Sequence, residues 1–399
     1  MTGTHDTLTT DALVDEALAL GEGLGRPLRY VQLNSFHNGS TGTVMCNLHR
    51  GLIEHGVDSY ILWGRRHETI NDHERCVATR PGYLSHGALV RLDEGAGFHS
   101  KHDTARLLRL LDEIDPDVVH LHNVHGYWVN VEMLFGWLAD HRCQVRWTLH
   151  DCWAFTGHCA RSESCPQLGT YPMTICKRNC ARNFEDKRRV LTSVPSERMT
   201  LIRPSHWLES LVKQSFLKKH PVEVRHNTVD RTVFKPTPSD FRERYGFGDR
   251  FMILGVASPW TERKGLGDFV CLACGLDPER YAVVLVGLTR KQMKRPPKEI
   301  VALERASSPQ ELAAIYTAAD VFFNPTRGDN FPTVSLEAEA CDTPVITFDV
   351  GGCAETVELA KSVVVAGYGN GLESVTARGV LLDFARRAPK YRTLLLEAA

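Results

Sequence analysis

Two doubly wound α/β domains, each a parallel sheet covered by helices, are what this sequence predicts, and three observations carry the prediction. Short apolar, β-branched runs alternate with amphipathic stretches along the chain, the order expected of βαβ units. The runs are apolar at successive positions rather than at every second one, as strands buried on both faces are. The pattern also occurs twice, on either side of a polar, proline-containing stretch at 225–240.

In chain order, the first series has strands at 28–34 (LRYVQLN), 58–63 (DSYILW), 117–123 (DVVHLHN) and 144–150 (QVRWTLH), with helices near 43–55, 103–114 and 130–141. The second has strands at 250–258 (RFMILGVAS), 281–288 (YAVVLVGL), 320–325 (DVFFNP) and 344–350 (PVITFDV), with helices at 309–318 and 333–341. The expected domains are 1–230 and 231–399, facing each other across a cleft, with the last helix packing back on the first domain. In open α/β sheets ligands gather at the carboxyl ends of the strands, so chemistry is expected in the loops that follow them.

Composition narrows the classes. The chain has 399 residues, 43% apolar and 24% charged, enough for two domain cores, and its net charge of −1 gives no global field for nucleic acid. The first 25 residues carry acids instead of a basic segment, and no run approaches the ~18 apolar residues of a membrane span, so a cytoplasmic location without secretion is expected. Twelve cysteines scattered over this length suit reduced thiols.

Residues 327–352 (RGDNFPTVSLEAEACDTPVITFDVGG) place Asp329 in a loop after a strand and Glu337 about one turn into the helix that follows. Pro332 stands where a first helical residue would, and Thr333 and Val334 offer backbone N–H groups at the positive end of the helix, a phosphate-type site. Carboxylates beside a phosphate suit hydroxyls on either side of a diphosphate, the layout of a sugar nucleotide; the other reading is a helix-dipole acid with a solvated face. In GVASPWTERKGLGDFV (255–270), Arg263 and Lys264 precede Gly265 and a helix, where two cations can neutralise a diphosphate leaving group. In the first domain, NSFHNGSTGT puts Gly39 and Gly42 before a helix for close backbone approach to a ligand, with neither a dinucleotide fingerprint nor a Walker loop. His120, His122, His125 and His150 gather at strand ends, where hydrogen bonding to a neighbour is expected more than metal ligation, and His150 is taken as substrate-facing. DEIDPD (112–117) reads as a helix end and turn, since it precedes a strand.

TERKG, DNFPTVSLEAEACDTPVITFDVGG, HNGSTGT, DVVHLHN, WTLHD and RHNTVDRTVF together resemble the family 4 (group 1) retaining glycosyltransferases of the GT-B fold, and HNVHGYW and HDCWAFTGH resemble its polysaccharide-biosynthesis branch. The resemblance implies two Rossmann-like domains and transfer of a sugar from a nucleoside diphosphate to an acceptor hydroxyl, with retention. That no metal or cofactor is expected follows instead from the residues, since Lys264, Arg263 and the helix start at Thr333 and Val334 supply the neutralisation and no acidic pair follows a strand end to hold a metal there. The resemblance makes Lys264 and Arg263 diphosphate ligands, Asp329 a donor-sugar acceptor, Glu337 a ribose acceptor, and His150 a group near the reacting centre. Gly42, Asn330, Phe331, Thr333 and Val334 complete the implied substrate contacts. The chain departs from the family with Asp329 in place of the usual Glu, Ser258 in place of an arginine, and Asp342 in place of Gly. The rival expectations are a sugar-nucleotide epimerase and a donor-binding scaffold.

Cys159, Cys165, Cys176 and Cys180 form either a structural zinc set or partly buried free thiols; their spacings are not CxxC pairs. The basic stretches 177–189 and 213–219 offer peripheral contact with an anionic lipid or acidic acceptor, or a solvated face.

Overall fold

The computed structural model describes residues 8–65, 68–158, 160, 180–294 and 299–366. The chain divides into two compact units, Met1–Asn227 and Thr228–Ala399.

The first unit runs α1 (Leu8–Gly21), β1 (Arg29–Phe36), α2 (Gly39–Glu54), β2 (Asp58–Arg65), β3 (Glu74–Cys76), α3 (Arg80–Asp93), α4 (Lys101–Ile114), β4 (Val118–Leu121), α5 (Val131–Asp140), β5 (Gln144–Thr148), α6 (Cys180–Leu191), β6 (Met199–Arg203), α7 (His206–Lys213) and β7 (Val222–Val224). Its sheet is parallel throughout, in the order β3-β2-β1-β4-β5-β6-β7. The order reverses beside β1, between β2 and β4, so the loops after β1, β4 and β5 lie side by side at one edge of the sheet. Helices α4 and α5 cover one face over a core that includes Leu107, Leu111, Leu134, Phe135 and Trp147; the Phe135 and Trp147 rings sit 5.3 Å apart.

The second unit runs α8 (Phe241–Arg244), β8 (Phe251–Val256), α9 (Leu266–Gly275), β9 (Tyr281–Val286), β10 (Ile300–Leu303), α10 (Pro309–Ala318), β11 (Val321–Asn324), α11 (Thr333–Ala340), β12 (Val345–Phe348) and β13 (Val363–Val365). Its parallel sheet has the order β10-β9-β8-β11-β12-β13, with the switch at β8. Alternate β8 residues feed separate cores: Phe251 and Ile253 pack with Phe269 and Phe323, while Met252 and Leu254 pack with Tyr316 and Phe322. That two-sided burial is why the strand reads as an unbroken apolar run.

The expected central strands are all present; β3, β6, β7, β10 and β13 were not expected. Three of these, β3, β7 and β13, are only three residues long and stand at or next to a sheet edge, too short to show a period. Two helix starts also differ. Helix α2 begins at Gly39, so the glycine loop is largely its first turn, and Pro332 is the N-cap of α11 instead of its first residue. DEIDPD does end a helix: Asp115 turns left-handed at φ 50, and Asp117 accepts from the backbone of Arg29 and pairs with Arg26 at 2.7 Å.

The basic stretch on α6 is not one solvated face. Lys187 is fully buried, donates to the Trp153 carbonyl at 2.5 Å and lies 4.0 Å over the Trp153 ring. Cys159, Cys165 and Cys176 lie outside the described residues, as does the side chain of Cys180, so the zinc expectation does too. Among the described residues no helix is long and apolar enough to cross a membrane.

Candidate functional site

In the second unit, β8 and β11 are neighbours, and the loops that leave their carboxyl ends meet. Trp260 anchors the first loop: its indole donates to the Val286 carbonyl at 2.9 Å, and its ring meets Phe269 edge-on at 5.3 Å. Gly265 then turns at φ 80 against Pro325, where a Cβ would fall 2.5 Å from Pro325 Cγ. The Arg327 N–H closes onto the Arg263 carbonyl at 2.8 Å. Two strand ends are thereby tied into one ledge.

On that ledge Lys264 Nζ donates to Asp329 Oδ2 at 2.5 Å, with Arg263 Nη1 4.0 Å from the same oxygen. Arg263 also donates to the Gly328 carbonyl and to Thr326 Oγ1, so its guanidinium is steered by the second loop. Burial pushes the Asp329 carboxyl up, but Lys264, its hydrogen bond, Arg263 and the Asn330 N–H together hold it below its ordinary value. The backbone of Asp329 is fixed from a third strand end: the Gly352 N–H donates to its carbonyl at 2.9 Å, and Gly351, at φ 60, has no room for a Cβ, which would lie 2.1 Å from that oxygen.

Helix α11 starts beside this group. Its N-cap Pro332 has no side-chain hydrogen bond to give, so the N–H groups of Thr333 and Val334 open the helix without a side-chain cap. Phe331 is buried behind the turn, and Asn330 is half-buried. One turn on, Glu337 accepts from the Tyr316 hydroxyl at 3.0 Å. Burial lifts its carboxyl to about 7, against the smaller downward pull of that hydrogen bond. A carboxylate poised near neutrality on a half-buried helix face argues against a plain solvated acid.

Because the folded pKa of Glu337 lies above the unfolded one, the stability contributed by its protonated form is complete below the ordinary carboxylate range and is lost as pH rises through about 7. The thermal midpoint is therefore expected to decline between about pH 5 and pH 7.5, and Glu337→Gln is expected to flatten that decline. Melting curves across the range check it; parallel profiles would contradict it.

The first unit brings the strand-end histidines together. His150 Nε2 is 3.0 Å from His122 Nδ1, His122 Nε2 is 3.1 Å from Gln32 Oε1, and His120 bridges Tyr30 and Thr148 at 2.9 and 2.7 Å. The rings of His120, His122 and His150 stack in turn. Burial drops the His150 pKa to about 4 and holds that of His122 well below the ordinary imidazole value, so both are neutral at pH 7. His125 pairs with Asp151 at 2.8 Å. Hydrogen-bonded neighbours, as expected, occupy these histidines. At Gly42 an added Cβ would lie 2.5 Å from the His37 backbone carbonyl, so local packing by itself calls for glycine there.

Of the expected residues, Arg263, Lys264, Asp329, Asn330, Phe331, Thr333, Val334 and Glu337 converge in the second unit, whereas Gly42 and His150 belong to the first. Tyr316 and Thr326 were missed, since nothing local marks a core tyrosine or a loop threonine as a partner. Gly351 carried a legible signal, a glycine pair directly after a strand.

These features define the class first: an α/β protein with two parallel sheets and a basic ledge beside an open helix start, sharing the GT-B fold. The family described as Glycosyl transferases group 1 matches residues 250–377 of the chain. It is 26% identical over 168 residues to the alpha-galactosylglucosyldiacylglycerol synthase of Streptococcus pneumoniae, covering 39% of this chain and 44% of that protein. It is 35% identical over 181 residues to the GDP-mannose-dependent alpha-(1-6)-phosphatidylinositol monomannoside mannosyltransferase of Mycolicibacterium smegmatis, covering 40% and 47%. The chain spans 21% to 57% of the length of such curated relatives. Sucrose-phosphate synthase of Thermosynechococcus elongatus has the same fold at TM-score 0.65 and 16% identity, covering 92% of this chain and 97% of that one. Anabaena Alr3699/HepE, solved with UDP-glucose, does so at TM-score 0.56 and 15% identity, covering 86% and 87%.

Proposed function

We propose that this protein is a glycosyltransferase that moves a hexose-type sugar from a nucleoside diphosphate to a hydroxyl on a glycan, lipid-linked sugar or small natural product. The observation that carries the reading is the ledge of Lys264, Arg263 and Asp329 beside the open start of α11. Lys264, Arg263 and the N–H groups of Thr333 and Val334 take the diphosphate. Asp329 accepts from the sugar, Glu337 from the ribose, and His150 positions the reacting sugar. The acceptor oxygen bonds to the anomeric carbon as the bond to the diphosphate breaks, and the departing oxygen takes the acceptor proton, with retention. Two cations and a helix start supply the neutralisation, so no divalent ion is needed for that step, and no cofactor is invoked. The site of action is cytoplasmic, at the inner membrane face for a lipid-linked acceptor.

Incubation with UDP-, GDP- and dTDP-sugars, with and without glycan acceptors, tests the reading. Product from donor alone would favour an epimerase, and nucleotide binding without turnover would favour a scaffold. Mild EDTA is expected to leave activity intact while circular dichroism confirms the fold, and NMR is expected to show the donor's anomer in the product. Activity restored only by Mg²⁺ in a folded protein, or an inverted product, would overturn those parts.

The two carboxylates are separable by calorimetry with the free nucleoside diphosphate. Glu337→Gln is expected to weaken binding, whereas Asp329→Asn, which releases Lys264 from its ion pair, is expected to leave binding intact or tighten it while slowing transfer. Equal losses would mean that sugar and ribose are misplaced.

A further inference from the structure

We propose that Arg203 anchors an oxyanion site at the carboxyl end of β6, and that its ligand is a phosphate group, free or as a monoester. The site stands apart from the basic ledge of the second unit and is tested by binding, without turnover.

Arg203 is the last residue of β6 and is 0% exposed. Its Nη1 donates to the Leu201 carbonyl at 3.3 Å, while Nε and Nη2 are buried with no partner. The acid that acts on it, Glu209 on α7, is already held by Lys213 at 2.8 Å and His206 at 3.4 Å. Burial accordingly pulls the Arg203 pKa down to about 10, and Glu209 offsets only part of that. Other enclosed cations of the first unit are treated differently. Lys187 has the Trp153 carbonyl and ring, and Arg198 spreads its guanidinium over the carbonyls of Leu138, Ala139 and His141. A buried charge without compensation is strongly destabilising, and a ligand that brings the counter-charge removes that cost.

The two nitrogens left over name the ligand. Nε and Nη2 lie on the same side of the guanidinium plane's edge, opposite Nη1, and form the fork that takes two oxygens of one oxyanion. Strands β4, β5 and β6 run parallel, so this fork stands at the edge where the loops after β4 and β5 also end. Helix α7 starts three residues on, at His206, and adds its positive end, which favours the higher charge of phosphate over a carboxylate. Both nitrogens are shut from solvent in the ligand-free chain, so binding includes a local opening of this strand end.

Thermal unfolding of the full chain in millimolar phosphate, acetate or chloride at equal ionic strength tests the site. The wild type is expected to melt about 3–6 °C higher in phosphate than in chloride, with a smaller rise in acetate. Arg203→Met, which replaces the unpaired cation with an apolar chain, is expected to melt about 2–4 °C above the wild type in chloride and to gain nothing from phosphate. Arg203→Lys keeps the charge without the fork and is expected to need at least about tenfold more phosphate for the same rise. A hexose 6-phosphate that acts where inorganic phosphate does not, with its effect lost in Arg203→Met, identifies the ester as the ligand. The phosphate rise is expected to survive Lys264→Ala; its loss there and persistence in Arg203→Met would put the anion on the second-unit ledge and overturn the proposal. A wild type that responds to neither phosphate nor the ester, or responds to acetate equally, overturns it too. So does Arg203→Met melting below the wild type in every salt, which makes the guanidinium a structural core group. If Arg203→Met does not fold, an unchanged phosphate titration in Arg203→Lys overturns the site. Absence of sugar transfer with every donor would remove the proposed function and leave these melting curves to decide the site.

Discussion

Lys264→Ala is expected to lower turnover by about 10²–10³-fold under saturating donor, the usual effect of removing one preorganised charge from a leaving group. Lys264 is only 21% exposed on its side chain and is fixed at 2.5 Å from Asp329, so its ammonium is already in place when a diphosphate arrives. Arg263 remains 4.0 Å from the same carboxylate and cannot follow Lys264 to its position, because its guanidinium is held by Gly328 and Thr326. The deletion also strips Asp329 of its nearest cation, so its carboxyl is expected to rise towards the ordinary range. Lys264→Ala combined with Asp329→Asn should therefore be markedly non-additive. Steady-state rates at saturating donor check this, and a Lys264→Ala protein within twofold of wild type would remove the residue from the mechanism.

Gly265→Ala is expected to destabilise the second unit by about 2–4 kcal/mol, the range of substitutions that combine a forbidden backbone with a clash. The residue sits at φ 80, and an added Cβ would meet Pro325 Cγ at 2.5 Å and the Pro325 carbonyl at 2.7 Å. Relief requires parting the loops after β8 and β11, which carry Lys264 and Asp329, so transfer is expected to fall with stability. Gly275→Ala, at the far end of the helix that Gly265 caps and with nothing within 4 Å of an added Cβ, is the control and should be neutral or slightly stabilising. Denaturant unfolding of both variants decides the point; equal effects would sink the steric argument.

The central strands and the second-unit loops were legible in the sequence for one shared reason. Both are dense local signals: β8, β9, β11 and β12 are buried on two faces, and the strand-to-helix turns that follow β8 and β11 carry glycine, proline and charge within a few residues. What escaped was set by pairing across sequence distance. Tyr316 meets Glu337 only because α10 packs on α11, and Gln32 meets His122 only because β1 lies against β4. Lys187 looked like one of several surface cations on a basic helix, and only the Trp153 carbonyl and ring beneath it make it a core residue. The crowding at Gly42 was likewise hidden in the His37 backbone.

The proline at the head of α11 has a consequence for evolution at this site. A serine or aspartate there would satisfy the helix from within, and each generation of sequences has that stabilising exchange one or two base changes away. Retaining Pro332 keeps the helix start in want of an outside oxygen. Self-sufficiency and ligand capture compete for the same N–H groups, so a chain selected for robustness alone would drift towards closing them, and one selected for turnover would hold them open.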